Sequence, residues 1–497
     1  MRSLRPLVVA GVALFFATPA PALDGPELAI EVEGLLQQMN AAMAPAQLLW
    51  SPVEVAPEGD ALRLRVADLR VDGIDGLDLA MGTVDLRVRE SGPGLYTVDD
   101  VHLPPRAVVL ADGVETGSLA LQAERLSATW SAPLGSLTQL DLVLRQVVLQ
   151  PKLRTTLVAD RIGAFLETLP EVNGYGATGL DQAKLSVSLS GVDLAEPSGS
   201  LQLGNLSLDL NLQGFDWLAL QPLWTILRDQ QIAGFFSDET RLRELRRAWI
   251  DADPLARSFD YALVVDGLGF VDERKGSVAL AHAEMRGVQD APDRDGLFSS
   301  EGAVSAQGLA LGGEMAAKLG PYAVLLPQSL SASSRMERAP AGVWAGILFD
   351  VISAYTSKDQ ESALGALLAS SESLNQVLAE AGTTMLLRAF TIETPLVKLE
   401  NKASLRYATG TPFGFVGTWV ATLSGLDAAL AWTEALPDES VRREASSVIL
   451  GMRGFGQAIA QADGTTIYRY TIVYPADGAV TLNGFPLDKL FQNALPR

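Results

Sequence analysis

The chain contains no cysteine and only two histidines, His102 and His282. Without thiols there is no disulfide framework, so an exported form must draw its stability from packing. Thiol nucleophiles, thiolate metal sites and disulfide redox chemistry are excluded with it. Two histidines fall short of a histidine-rich metal centre, and a Ser-His-Asp triad would have to recruit one of them. "VDDVH" groups Asp99, Asp100 and His102, but regular strand alternation would send those side chains to two faces. A structural or exposed role is the expectation for both histidines. No G-x-S-x-G elbow occurs, since "GAVSAQG" at 302–308 has the wrong spacing, and no serine precedes a lysine by three residues. No Gly-Lys pair exists, which removes the phosphate-binding loop.

Long apolar runs are also missing. Beyond the N-terminus nothing approaches the roughly 20 apolar residues of a spanning helix. The densest stretch, Val343 to Tyr355, is short and contains Asp350. Basic residues are scarce: 38 Lys and Arg stand against 59 Asp and Glu, a formal net charge of −21, which repels nucleic acid and anionic membrane surfaces. The bland consequence is solubility; the sharper one is an affinity for cationic partners or divalent ions. Aromatic residues make up 7% of the chain, no visible excess for lining a carbohydrate cleft. Carboxylates are abundant, but nothing in the sequence pairs two of them for glycoside hydrolysis.

What is present begins with an address. Arg2 and Arg5 precede an apolar run from Leu7 to Phe16, and Ala20-Pro21-Ala22 fits the small-x-small pattern of a secretory leader cleaved after Ala22. The remaining composition, 48% hydrophobic and 20% charged, is that of an ordered protein, and 497 residues suffice for two or three domains.

Periodicity divides the chain into five stretches: the leader 1–22, a helix plus antiparallel meander 23–214, a helical stretch 215–257, a second β unit 258–335, and a helical region with returning strands and a terminal hairpin 336–497. Leu28, Val32, Leu35, Leu36, Met39 and Met43 recur at helical spacing. After Pro57 the period becomes two: Leu62, Leu64 and Val66 alternate with Arg63 and Arg65, and Leu77, Leu79, Val84, Leu86 and Val88 continue in that style. The meander ends in "LSLDLNLQG", with Leu206, Leu208, Leu210 and Leu212 on one face. Next, Leu242, Leu245 and Trp249 make a helical stripe after a cap at Ser237 or Asp238. Further on, Val343, Trp344, Ile347, Leu348, Val351, Ile352 and Tyr355 make another, Ser357 and Gln360 form a capping box, and Gly382 is placed as a helix stop. Two helices are expected around Leu426–Leu436 and Asp438–Gln461. "GSLALQAERLSATW" from 117 and "GSVALAHAEMRGVQ" from 276 echo each other, through duplication of a strand unit or through like constraints on two amphipathic strands.

Three local features carry candidate chemistry. "DAPDRDG" at 290–296 fails the calcium-loop template, with Ala291 at position one and Gly302 at position twelve. It reads as a polar turn, the alternative being an irregular calcium site through Asp290, Asp293 and Asp295. Arg243, Arg246 and Arg247 share a helix side, near Arg228 and Arg241. They fit an anionic head group or acidic partner, or else the protein's own carboxylates. The leucine face is the third. Leucine is more adaptable than β-branched residues, which suits contact with something large and imprecisely shaped. Covering helices, from the stripe at 343–355 or those after Leu426, would seal the face; without them it is a groove for an apolar ligand.

"DGAVTLNGFPL" at 477–487 and "LGNLSLDLNLQGFDW" at 203–217, with the leader, resemble uncharacterised secreted envelope proteins of Gram-negative bacteria and, more remotely, the AsmA-like and YdgA-like proteins. The resemblance is one of texture. It implies a periplasmic location and a curved sheet that handles lipid between membranes. The chain departs from the pattern in lacking a retained anchor and in its larger helical segments, and the resembling groups define no catalytic residue.

The reading is an α+β protein of long curved antiparallel meanders packed with helical segments, a periplasmic non-enzyme without cofactor or metal. It is expected to bind lipid or another apolar ligand on its leucine-rich surface. An interaction module in envelope assembly and an acidic hydrolase are the alternatives.

Overall fold

The computed structural model describes residues 25–489, apart from 43–45, 74–76, 93, 112, 132–135, 152–155, 174–175, 197, 216–238, 253–255, 341–373 and 412. The leader with its Ala22 cleavage point, the cap at Ser237 or Asp238, the stripe 343–355 and the capping box at Ser357 lie outside the described residues. The chain forms two compact units, Met1–Leu263 and Val264–Arg497. Both are built mainly from antiparallel strands with a few helices, an α+β architecture of long meanders.

In the first unit, helix α1 (Gly25–Ala42) precedes strands β1 (Gln47–Leu49), β2 (Glu54–Glu58), β3 (Ala61–Asp72), β4 (Leu77–Gly92), β5 (Leu95–His102), β6 (Arg106–Ala111), β7 (Val114–Ser131), β8 (Ser136–Pro151), β9 (Thr156–Asn173), β10 (Gly176–Glu196) and β11 (Gly199–Phe215). Each long strand pairs with the next. β5 and β6 act as one broken strand between β4 and β7. Pro104 and Pro105 fall in the break, where two missing N–H groups cannot serve a ladder.

The alternation that the sequence displays is the burial pattern. Leu64 is 1% exposed and Val66 5%, with Leu28 and Leu36 of α1, Leu48, Val53, Val88 and Tyr96 in one cluster. Two side chains of α1 also serve the backbone of β1 and of the link between β1 and β2. The Asn40 Oδ1 accepts from the Leu48 N–H at 2.7 Å, and the Glu33 carboxylate from the Val53 N–H at 3.1 Å. The runs at 77–79 and 84–88 belong to one strand, β4, whose irregularity sits at Gly82 in the left-handed region, φ 85°. β9 carries no clean period of two. Ile162, Phe165, Leu166 and Leu169 have helical spacing, yet ladders on both sides hold the segment extended.

Helix α2 (Glu239–Ala252) buries Leu242 and Leu245. Strand β12 (Ala256–Asp272) crosses the division between the units.

The second unit holds β13 (Gly276–Gln289), β14 (Phe298–Gln307), β15 (Ala310–Gly312), helix α3 (Gly313–Leu319), a 3-10 turn (Gly320–Leu325), β16 (Ser329–Ala339), helix α4 (374–380), β17 (Thr384–Glu393), β18 (Lys398–Tyr407) and β19 (Phe415–Ser424). Helices α5 (Leu426–Glu434) and α6 (Glu439–Phe455) follow, then β20 (Gln457–Ala460), β21 (Thr466–Tyr474), β22 (Thr481–Leu482) and β23 (Phe485–Pro486). The ladder runs β13–β14–β16–β17–β18–β19–β21, all antiparallel. Gly382 stops α4 with φ 68° and donates to the Ala379 carbonyl at 3.0 Å. Asp438 caps α6 by accepting from the N–H groups of Ser440 and Val441.

The helix expected to reach Gln461 ends at Phe455. Gly456 is extended, and 457–460 pairs with the outer edge of β21. "QAIA" carries no local sign of strand, and the ladder decides it. The terminal hairpin is shorter than its sequence. β22 matches only two residues of β21 before Asn483 and Gly484, both at positive φ, turn the chain into β23.

Candidate functional site

The four leucines of the 206–212 stretch lie on β11 with their register set by β10: Leu206 faces Leu189, Leu208 faces Val187, Leu210 faces Leu185, and Leu212 faces Ala183. The rows continue. Leu185, Val187 and Leu189 face Leu166, Ala164 and Ile162 of β9, which face Leu140, Leu142 and Leu144 of β8. Leu140, Leu142 and Leu144 then face Ala128, Leu126 and Ala123 of β7. An apolar grid three rows deep thus crosses five strands. The opposite side of β10 and β11 is polar: the Ser186 hydroxyl donates to Asp209 at 2.5 Å, Gln182 to Asn211 at 3.2 Å, and Asn211 to Asp260 at 3.0 Å.

Burial is graded along those rows. Leu140 and Leu166 are buried at 9% and 6% exposure, and with Leu137 they form a cluster with Trp130, Leu142 and Ala164 around it. Leu185, Leu189, Leu206, Leu208, Leu210 and Leu212 are only half-buried. The grid is closed only around Leu140 and Leu166; Leu142, Leu144, Ile162 and Ala164 are half-buried like the leucines of β10 and β11, where Ala183 is the buried member. Complete burial of one leucine is worth about 1.5–3 kcal/mol, so whatever finishes covering this flank gains a few kcal/mol.

The arginine group lies on α2. Arg243 and Arg247 are exposed and Arg246 is half-buried, and each is engaged by an interaction within the protein. That favours the intramolecular role over a free anion cradle.

The expectation for "VDDVH" is overturned. Asp100 adopts φ 49°, and the register slips one residue between Asp85↔His102 and Arg87↔Asp99. This bulge breaks the alternation. Arg63 pairs with Asp85, donates to Asp100 at 2.7 Å and lies 3.1 Å from His102 Nδ1. Arg89 reaches Asp99 at 3.5 Å. The Arg63 guanidinium holds the Asp100 carboxyl below its usual range, and Asp100 with Asp85 raises the arginine in turn. The result is a lattice of alternating charge, and no acid or histidine group among the described residues is arranged to hold a metal. His282 Nδ1 lies 2.6 Å from Asp266 across two strands.

"DAPDRDG" is the polar turn. Asp293 accepts from the N–H groups of Asp295 at 2.8 Å and Leu297 at 3.1 Å. These donors, Leu297 foremost, and the nearby Arg338 hold its carboxyl low. Arg338 reaches Asp293 at 3.3 Å and Asp295 at 3.1 Å, so a guanidinium stands where a calcium ion would need to be. The irregular calcium site is thereby replaced by an internal ion pair.

The second unit holds a concave site that has no counterpart among the sequence expectations. Ile392, Leu399 and Leu423 form one row across β17, β18 and β19. Over this floor lie α5, presenting Leu426, Ala429 and Trp432, and α6, presenting Val441, Ala445, Val448, Ile449 and Met452. The turn residues Thr394, Leu396 and Val397 close one end, Leu325 stands at the rim, and the open slot between them holds about 530 Å³. The helix pair is locked by a 2.7 Å contact between the Thr433 and Ser446 hydroxyls, and Trp432 donates to the Pro321 carbonyl at 3.0 Å. The α6 spacing, three and four residues apart, was the available signal. The helices after Leu426, read as covers for leucine strands, thus cover the strand face of their own unit.

Against known proteins, the chain matches no family model, no curated protein and no solved structure, so the site rests on its own chemistry.

Proposed function

We propose that the protein is a non-enzymatic carrier or binding protein for lipid or another apolar ligand, acting in the periplasm, with the leucine grid of β7–β11 as its contact surface. One observation carries this reading. The rows through Leu206, Leu208 and Leu210 continue without a polar interruption into a buried cluster, while their β10–β11 end is left half-covered. An adaptable, flat apolar surface of this kind suits acyl chains better than it suits a rigid polar substrate. The AsmA-like texture of 203–217 points the same way.

The test is native mass spectrometry with solvent extraction of protein purified from the periplasm. The expected result is bound lipid in the natural protein and a loss of most of it in a Leu208→Glu, Leu210→Glu variant that keeps its strand content by circular dichroism. Lipid-free natural protein, or equal lipid in the double variant, contradicts the proposal.

A further inference from the structure

The helix–sheet cavity of the second unit has a chemistry of its own, distinct from the leucine grid. Its volume, about 530 Å³, lies within the range of small-molecule sites. Its base is sealed: Leu426 is 2% exposed, Ala429 4% and Ile449 9%. Its rim is not, since Leu325, Val448 and Met452 are each more than 40% exposed. Water gains little inside, because an ordered water needs two to four polar partners. The lining offers two polar side chains, Thr394 and Glu444. Thr394 is spent: its hydroxyl donates to the Val397 carbonyl at 3.0 Å and accepts from the N–H groups of Leu396 and Val397.

Glu444 is therefore the polar group left to meet an occupant. It is exposed at the mouth and makes no ion pair with a described residue. The neighbouring charges of the helix pair are engaged elsewhere. Arg453 pairs with Asp427 at 3.1 Å, Arg443 with Glu439 at 3.5 Å, and Arg442 donates to the Leu436 carbonyl at 2.8 Å. An apolar slot with one carboxylate at its opening repels an amphiphile headed by carboxylate or phosphate and attracts one headed by ammonium. Met452 at the rim adds an adaptable wall.

We propose that this cavity binds a single-chain amphiphile with a protonated amine at its head, the chain lying between α6 and the Ile392–Leu399–Leu423 row and the amine meeting Glu444. The site lies in a different unit from the leucine grid and stands or falls without it.

The test is isothermal titration of the full chain with dodecylamine and with dodecanoate, each below its micellar concentration. Dodecylamine binds about tenfold tighter, the scale of one partly exposed charge pair gained set against one repulsion. Ala445→Trp fills the slot and abolishes the amine-preferring binding, leaving only uptake without that preference by the leucine grid; if that variant loses its fold by circular dichroism, Val448→Trp takes its place. Glu444→Lys reverses the preference between the two ligands. Glu439→Lys, the same change of net charge five residues earlier on α6, leaves the preference intact. Undiminished dodecylamine binding in the tryptophan variant overturns the proposal. So does an equal shift of preference in Glu439→Lys and Glu444→Lys, which would trace the selectivity to net charge alone.

Discussion

Asp438 shows how one carboxylate ties a local sequence to the wall of a cavity. It accepts from the Ser440 hydroxyl and from the N–H groups of Ser440 and Val441. These bonds, the hydroxyl first, hold its carboxyl below the usual range. A group lowered on folding adds stability at pH above its unfolded value, near 3.9, and loses it as pH falls through the folded value. Asp438→Ala is therefore expected to lower the melting temperature at neutral pH. In calorimetry the gap to the natural protein should narrow as pH drops below about 4; a gap independent of pH would assign the effect to helix propensity instead. At this scale much was legible. The start of α6 at Asp438, the Gly382 stop and the inward leucines of β3 follow local rules of residue type and spacing. The Asp100 bulge was not. An extra residue in a strand leaves no mark on composition, and it reversed the expected splitting of Asp99, Asp100 and His102.

At the scale of elements, alternation identified strands wherever one face is apolar and the other polar, as in β3, β10 and β11. It is weak in β9, where Ile162, Phe165, Leu166 and Leu169 are spaced as on a helix although the stretch lies inside the expected meander, and absent from 457–460, where edge pairing overrides the expected helix. Joints between elements depend on backbone geometry more than on hydrophobicity. Gly425 links β19 to α5 at φ 85°, and a Cβ there would run into the Leu396 carbonyl oxygen at the closed end of the cavity. Gly425→Ala should cost about 1–3 kcal/mol of stability in denaturant titration, because it adds both left-handed strain and a clash with backbone. A neutral result would mean that the β17–β18 turn yields freely, and that the cavity wall is softer than its hydrogen bonds imply.

At the scale of the whole molecule, each unit leaves apolar surface that its described helices do not fully cover. In the first unit it is the flank of a leucine grid; in the second it is a slot between two helices and a sheet. The grid's existence was readable from "LSLDLNLQG", since four leucines in alternation define a face. Its depth was not, because rows such as Leu210–Leu185–Leu166–Leu140 are assembled from residues up to 70 positions apart. The slot escaped notice for the same reason: Ile392, Leu399 and Leu423 become neighbours only through pairing.

The absence of native cysteine allows a direct test of the central claim, that the leucine flank is open to an apolar occupant. Leu208→Cys, labelled with an environment-sensitive fluorophore, reports on that flank alone. In lipid-stripped protein the label should be quenched partly by aqueous iodide, and adding a long-chain phospholipid should shift its emission to the blue and shield it from iodide. A label already inaccessible before lipid is added, or one that lipid leaves unchanged, would contradict the account.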